Sequence, residues 1–200
     1  MKNPLRTLLD EAQELERSIS ERIQRNRAES RAFEVESGKP VFGQEARLQY
    51  KPHKKSIWVF LRESSFLKIL TAPVVYSIVI PLTLLDLFVV LFQSICFPLY
   101  GIPKVQRRDY IVLDRHLLPY LNFVEKINCV YCGYANGVIA FAREVAARSE
   151  QHWCPIKHAR QAKGCHLRHC LFSEYGDAAA FRRQCEQVRA DFSDVEVELD

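Results

Sequence analysis

The sequence predicts a mainly α-helical protein with a long N-terminal amphipathic helix, a membrane-embedded hairpin or single span, and a small C-terminal helical domain with a Cys/His metal knuckle. Three observations predict this fold class. Apolar residues recur at three- and four-residue steps near the amino terminus, the 35 residues from Ile69 to Pro103 contain a single charge, and six of the seven cysteines follow Cys96.

The composition excludes several classes of protein. A chain of 200 residues is too short for a large multidomain enzyme, and 48% hydrophobic with 26% charged residues excludes wholesale disorder. The net charge of +4 is too small to indicate a nucleic-acid groove, so we expect no nucleic-acid partner. The first 20 residues are charged throughout and lack the apolar core of a signal peptide, so we expect a reducing compartment.

The range 1–36 has the pattern of an amphipathic helix. Asn3 is a suitable N-cap, and Pro4 suits the first helical position. The apolar stripe comprises Leu5, Leu8, Leu9, Ala12, Leu15, Ile19 and Ile23. It predicts packing on the protein's own domain or, alternatively, association with a protein partner or with a second copy as a homo-oligomer.

The range 37–55 contains the glycines and prolines of a linker and ends in a basic cluster, Lys51, His53, Lys54 and Lys55. The range 56–103 then begins with a predicted interfacial helix. Its apolar residues Ile57, Phe60, Leu61 and Leu67 share one face, with Trp58 beside them, as is typical of a helix at a lipid interface.

The segment between Lys68 and Lys104 predicts membrane insertion. Asp86 is its single charged residue, and about 20 apolar residues suffice to cross a bilayer. Pro81 lies near the middle and allows two topologies. One is a single transmembrane helix from about Pro73 to Phe97, kinked near Pro81, and the other is a re-entrant hairpin of two half-length helices.

The flanking charges favour the hairpin. Five basic residues lie in 51–68 and four in 104–115, and positive residues mark the cytoplasmic side of a membrane segment. Because both flanks are basic, we expect both to lie on the same side. A charge such as Asp86 costs about 2.5 to 3.5 kcal/mol at mid-bilayer, so we expect it to face protein, water or a partner subunit.

The range 104–190 predicts a cytoplasmic, metal-binding helical domain. We expect a short strand at 110–113, a helix over about 114–126, a helix capped by Asn136 and a last helix capped by Asp177. The apolar face of the helix after Asn136 comprises Val138, Phe141, Ala142, Val145 and Ala146. The range 191–200 contains five acidic residues and predicts a solvated tail.

The segment Cys129-Val-Tyr-Cys132-Gly133-Tyr134 is the most specific motif. Two cysteines separated by two residues can place both sulfurs on one metal ion, and the following glycine accepts the positive φ that such a turn needs. The motif resembles the metal knuckle of rubredoxins and zinc ribbons. The resemblance covers six residues and implies a type of site, not a family.

Cys154 and His158 complete a predicted Cys3His site with Cys129 and Cys132, because residues four apart meet on one helical turn. One imidazole in place of a thiolate favours zinc over iron. Secondary candidate ligands follow in the sequence: Cys165, His166, His169 and Cys170. Two alternatives stay open, namely buried cysteines of a reduced interior and a dithiol redox pair at Cys129 and Cys132.

Arg107, Arg108 and Arg115 follow the membrane segment and are predicted to bind lipid headgroups. The sequence contains no phosphate loop, nucleophile elbow or zinc-protease motif, so no catalytic residue is assigned. The leading hypothesis is a membrane-anchored, metal-binding accessory or scaffold protein. The alternatives are a membrane-associated redox or electron-transfer protein with an iron–thiolate site and a small lipid-acting membrane enzyme that uses Asp114 and His116.

Overall fold

The computed structural model describes residues 4–29, 34–36, 39–160 and 162–195. They are mainly helical, as predicted. The elements in chain order are α1 (Pro4–Glu29), β1 (Glu34–Glu36), β2 (Lys39–Val41), α2 (Gln44–Tyr50), α3 (Ile57–Glu63), α4 (Phe66–Ser77), α5 (Val79–Tyr100), α6 (Arg107–Tyr110), α7 (Phe123–Trp153) and α8 (Ala178–Ala190). Three short 3-10 turns lie at Lys51–His53, Arg115–Leu117 and Leu167–Leu171.

The chain forms two compact units. Unit 1 takes its residues from 1–20, 87–106 and 141–200, and unit 2 takes its residues from 21–86 and 107–140. The long helices α5 and α7 therefore each contribute residues to both units.

The amino-terminal helix is confirmed but is shorter than predicted. It ends at Glu29, and β1 pairs antiparallel with β2 so that Val35 lies opposite Pro40. The expected helical end near Glu36 is therefore wrong, and the range predicted as a linker contains β2 and α2. The predicted N-cap, Asn3, lies outside the described residues.

The apolar segment forms a helix from Phe66 to Tyr100, in which α4 and α5 are separated by a turn at Ile78. At about 1.5 Å per residue it is about 52 Å long. Pro81 occupies the first turn of α5, where the missing amide donor has no intrahelical partner to lose. The re-entrant hairpin that the flanking charges favoured is therefore wrong, since Pro81 does not reverse the chain.

Helix α7 begins earlier than predicted. The Asn122 side chain accepts a hydrogen bond from the Glu125 amide at 3.0 Å, and the Glu125 carboxylate accepts one from the Asn122 amide at 2.8 Å. This reciprocal capping box starts the helix at Phe123. Asn136, the predicted cap, lies inside the helix and donates to the Cys132 carbonyl.

The connection between α5 and α7 also differs from the prediction. Helix α6 ends at Tyr110, and the described residues 110–113 form no strand. The helix expected over 114–126 is wrong, since this range contains a 3-10 turn at Arg115–Leu117 and the start of α7 at Phe123. A Cβ on Gly137 would lie 2.7 Å from the Tyr110 carbonyl oxygen and 2.9 Å from Ile111 Cα. The absence of a side chain at Gly137 therefore allows α7 to pack directly on this backbone.

The apolar face predicted for α7 and the cap predicted for α8 are confirmed in part and in full, respectively. On α7, Val138, Phe141 and Val145 are buried and Ala142 is half-buried, but Ala146 is exposed, so its place on the buried face is wrong. The Asp177 side chain accepts a hydrogen bond from the Ala180 amide at 2.8 Å and caps α8, which buries Cys185.

Candidate functional site

The Cys129–Tyr134 segment is helical and does not form the turn predicted for a metal knuckle. It lies inside α7, and Gly133 is not among the described glycines with positive φ, which are Gly101, Gly164 and Gly176. The upstream capping box explains this difference, because it starts the helix before the motif. Cys129 is half-buried and Cys132 is exposed.

Cys154 and His158 follow the end of α7 and do not share a helical turn, so that prediction is wrong. Backbone hydrogen bonds join this segment to Ser173, whose carbonyl accepts from the Lys157 amide at 2.8 Å. Both predicted ligands are exposed. They belong to unit 1, whereas Cys129 and Cys132 belong to unit 2.

Within the described ranges, no three or more His, Cys, Asp or Glu side chains form a group that could hold a metal ion. All seven cysteines are free, and the secondary candidates Cys165 and Cys170 are exposed. The metal and its Cys3His ligand set therefore stay predictions.

Three of the candidate ligands, the histidines after α7, lie close together in unit 1. The His158 and His169 rings stack with centroids 5.7 Å apart, and the His166 and His169 centroids are 6.0 Å apart. His166 Nε2 lies 3.0 Å from a carboxylate oxygen of Glu150. Among the described side chains, His166 Nδ1 and His169 Nε2 are buried nitrogens without a hydrogen-bond partner. Burial, followed by the neighbouring His166, lowers the pKa of His169.

Arg168 holds the segment that carries these histidines. Its buried guanidinium donates to Gln151 at 3.1 Å, to Glu144 at 3.2 Å and to Asp194 at 2.9 Å. Glu144 also accepts from Arg148 at 2.8 Å. Sequence reasoning missed this network. Asp194, which we expected in a solvated tail, is in fact largely buried, while 196–200 lie outside the described residues.

The single acidic residue of the apolar helix, Asp86, lies in a second polar network, in unit 2. Arg107 donates from Nε and Nη2 to the two carboxylate oxygens of Asp86 at 2.9 and 2.6 Å, and the Tyr134 hydroxyl donates to Asp86 at 3.0 Å. Asp86 thus faces protein, one of the alternatives expected. The hydrogen bond to Asp86 raises the pKa of Arg107.

The other polar residues singled out after the apolar helix lie in the connection between α5 and α7. Arg108 lies 3.9 Å from Asp109 in an exposed pair. Asp114 precedes the 3-10 turn Arg115–Leu117, which contains His116, and the Asp114 carbonyl accepts from the Leu117 amide. Headgroup binding by Arg107, Arg108 and Arg115 stays a prediction.

In the described part of the chain, one helix is long and apolar enough to cross a membrane, and it is the Phe66–Tyr100 helix. Eighteen of its large apolar side chains are exposed: Phe66, Leu67, Ile69, Leu70, Val74, Val75, Ile78, Val79, Ile80, Leu84, Leu85, Leu87, Phe88, Leu91, Phe92, Ile95, Leu99 and Tyr100. Soluble monomers rarely expose so large a contiguous apolar surface.

No family model matches this chain, and no curated protein or solved structure shows a match.

Proposed function

We propose that this chain is a membrane-anchored accessory or scaffold protein whose carboxy-terminal segment binds a metal ion, most favourably zinc. The observation that carries the proposal is the apolar surface of the Phe66–Tyr100 helix. Its single acid, Asp86, is neutralised inside the protein by Arg107. Because this acid is paired and the other charged residue of the helix, Lys68, lies in its first turn, the apolar surface is suited to lipid contact.

An exposed stripe on α1 supports the accessory role. Leu15, Ile19 and Ile23 are four residues apart and are 61%, 49% and 46% exposed. Residues at this spacing share one helical face, so the stripe offers a surface to a protein partner or a second copy. The seven free cysteines support a cytoplasmic, reducing location for the carboxy-terminal domain.

The histidine cluster of unit 1 supports the metal-binding part of the proposal. The His158, His166 and His169 rings lie together, and imidazole nitrogens and thiolates are the ligands that zinc prefers. Cys154, Cys165 and Cys170 lie in the same segment of chain as these rings. Zinc binding there requires the exposed thiols and rings to turn toward one ion. The Cys129 and Cys132 pair remains proposed as ligands on the same chemical grounds.

Two measurements test the proposal separately. Flotation of the purified protein with lipid vesicles on a density gradient tests membrane attachment, and protein that stays in the dense fraction overturns it. Elemental analysis of detergent-purified protein tests the metal, with an expected stoichiometry near one zinc. Cys129→Ser and His169→Asn show which ligand set is used, because the variant that removes a ligand should lose the metal.

The absence of stoichiometric metal would overturn the metal-binding part and leave membrane attachment standing. Visible absorbance separates the two candidate metals, since ferric thiolate sites are coloured and zinc sites are not. A coloured, iron-containing protein would favour the redox alternative.

A further inference from the structure

Polar side chains of α7 make hydrogen bonds to α4 and to the first part of α5 in unit 2. The Tyr76 hydroxyl is hydrogen-bonded to the Asn128 side chain, and the Tyr131 hydroxyl donates to the Val75 carbonyl at 2.8 Å. Ten residues further along, Asp86 accepts from Tyr134. The contacts at Val75 and Tyr76 come before the contact at Asp86 on the apolar helix, and their partners come before Tyr134 on α7, so the two helices run side by side in the same direction.

Charged side chains lie next to the residues that make these contacts. Lys126 precedes Asn128 by two residues on α7. The side chains of Arg108 and Asp109, next to Arg107, are 69% and 63% exposed. A transmembrane placement would bring these groups into the hydrocarbon, at a cost of about 2.5 to 3.5 kcal/mol for each exposed charge.

The second half of α5, in unit 1, is also attached to polar groups of the protein. The Gln93 side chain donates to the Val105 carbonyl at 3.2 Å and accepts from the Val105 amide at 3.0 Å. The buried Arg148 side chain donates to the backbone carbonyl of Lys104, the residue before Val105, at 3.1 Å. At the helix end, the Tyr100 ring contacts the Trp153 ring, with centroids 5.1 Å apart.

These attachments leave too little free helix to cross a bilayer. A crossing needs about 20 residues, or about 30 Å. The nine residues from Phe66 to Val74 precede the first attachment, at Val75, and supply about 14 Å. Six residues separate the next two attachments, at Asp86 and Gln93. Helix α7 cannot share a crossing, because Glu125, Lys126, Arg143, Glu144 and Arg148 lie along it.

The exposed apolar surface nevertheless extends along the whole helix. The buried positions of α5 are Leu82, Asp86, Gln93 and Phe97. They are separated by four, seven and four residues and so share one face, while the exposed apolar side chains occupy the remaining circumference. Apolar side chains along the whole length of the helix are therefore available for contact with lipid.

We infer that the Phe66–Tyr100 helix lies within one leaflet, parallel to the membrane surface, and leaves both of its flanks on the same side of the membrane. The inference rests on the proposed membrane attachment. It accounts for the basic residues at both ends without a hairpin. Trp58, which is 81% exposed on α3, fits the interface beside this helix.

The test compares accessibility on the two sides of the helix. Ser56 is exposed and its side chain makes no capping hydrogen bond, so Ser56→Cys places a thiol before the helix without removing a cap of α3. The native Cys154 is exposed and lies after the helix. Sealed, uniformly inside-out membrane vesicles carrying this variant are treated with a membrane-impermeant maleimide, and peptide mass spectrometry measures labelling at both positions. Buried Cys185 serves as the unreactive control, and detergent-opened vesicles give the maximum.

Equal labelling at residues 56 and 154, whether both are labelled or both are protected until detergent is added, is the expected result. Labelling of one position with protection of the other would show a crossing and overturn the inference, while flotation would still support membrane attachment. Protein that fails to float overturns both the inference and the proposed attachment. Arg47→Cys, on the exposed part of α2, repeats the comparison should the thiol at residue 56 perturb α3.

Discussion

Breaking the Asp86–Arg107 ion pair should destabilise the protein by unequal amounts, depending on which partner is replaced. The Asp86 side chain is 10% exposed, whereas that of Arg107 is 45% exposed. Asp86→Asn leaves a guanidinium that water can solvate. Arg107→Met leaves a buried carboxylate whose remaining described hydrogen-bond donor is the Tyr134 hydroxyl.

The magnitudes follow from this difference in exposure. An uncompensated buried charge costs about 3 to 5 kcal/mol, so Arg107→Met should lower the free energy of unfolding by an amount in this range. Loss of a hydrogen bond to a charged group costs about 1.5 to 3 kcal/mol, and Asp86→Asn should fall near the lower value because Arg107 is partly solvated. Asp86→Leu combined with Arg107→Met removes both charges and should be more stable than Arg107→Met alone.

Denaturant unfolding of the detergent-solubilised protein, followed by near-UV circular dichroism, measures these differences. Lys55→Met is the matched control, because the Lys55–Glu63 pair is exposed on both sides and water screens it, so its loss should have the smallest effect of the three. Our reasoning is refuted if Asp86→Asn destabilises the protein as much as Arg107→Met does, or if neither differs from the control.

Three further substitutions, each with a comparison variant, are tested by the same unfolding measurement. Gly137→Ala should lower the free energy of unfolding by about 1 to 3 kcal/mol, because the new Cβ would lie 2.7 and 2.9 Å from backbone atoms, while Gly133→Ala should cost less, since its Cβ would lie no closer than 3.2 Å to any neighbour. Asp177→Ala should cost about 1 kcal/mol through loss of the α8 cap, and Asp177→Asn should retain most of it. Arg168→Met should cost about 3 kcal/mol, because Asp194 loses its described ion-pair partner while Glu144 keeps Arg148, whereas Arg189→Met, which breaks a pair with the exposed Glu186, should cost less than about 1 kcal/mol. These assignments would be contradicted if the two glycine variants, or the two arginine variants, lost equal amounts of stability. They would also be contradicted if Asp177→Ala lost none.

Local patterns in the sequence predicted the helices but placed some of their ends incorrectly. Asp177 was identified as a cap because the apolar positions of α8 follow it directly. Asn122 and Glu125, three residues apart, carry the same kind of signal for α7. The strong periodicity that begins at Val138 drew the predicted start to Asn136 instead. A search for reciprocal caps across the whole range would have found the true start.

The side chains that meet in the polar networks could not be paired from the sequence. Asp86 and Arg107 are 21 residues apart, and Glu150 and His166 are 16 apart. Residue type identifies such groups as needing a partner, but the partner depends on how the chain between them folds. The metal prediction had the same weakness, because the cysteine spacing was interpreted as a turn although it also fits a helix.

For the membrane segment, hydropathy detects an apolar helix, but the tertiary structure determines how that helix is oriented in the membrane. Mean hydropathy averages around the helix circumference, so a helix that crosses a bilayer and one that lies in a leaflet give the same signal. The basic flanks indicated two ends on one side, and the hairpin was the arrangement of this segment that met that condition at the level of sequence. Once Pro81 is seen in the first turn of α5, a helix lying in the leaflet meets the same condition without reversing the chain. Whether the helix crosses the membrane or lies flat therefore depends on where Asp86 and Gln93 bind the rest of the protein. A short stretch of sequence around either residue does not show these contacts.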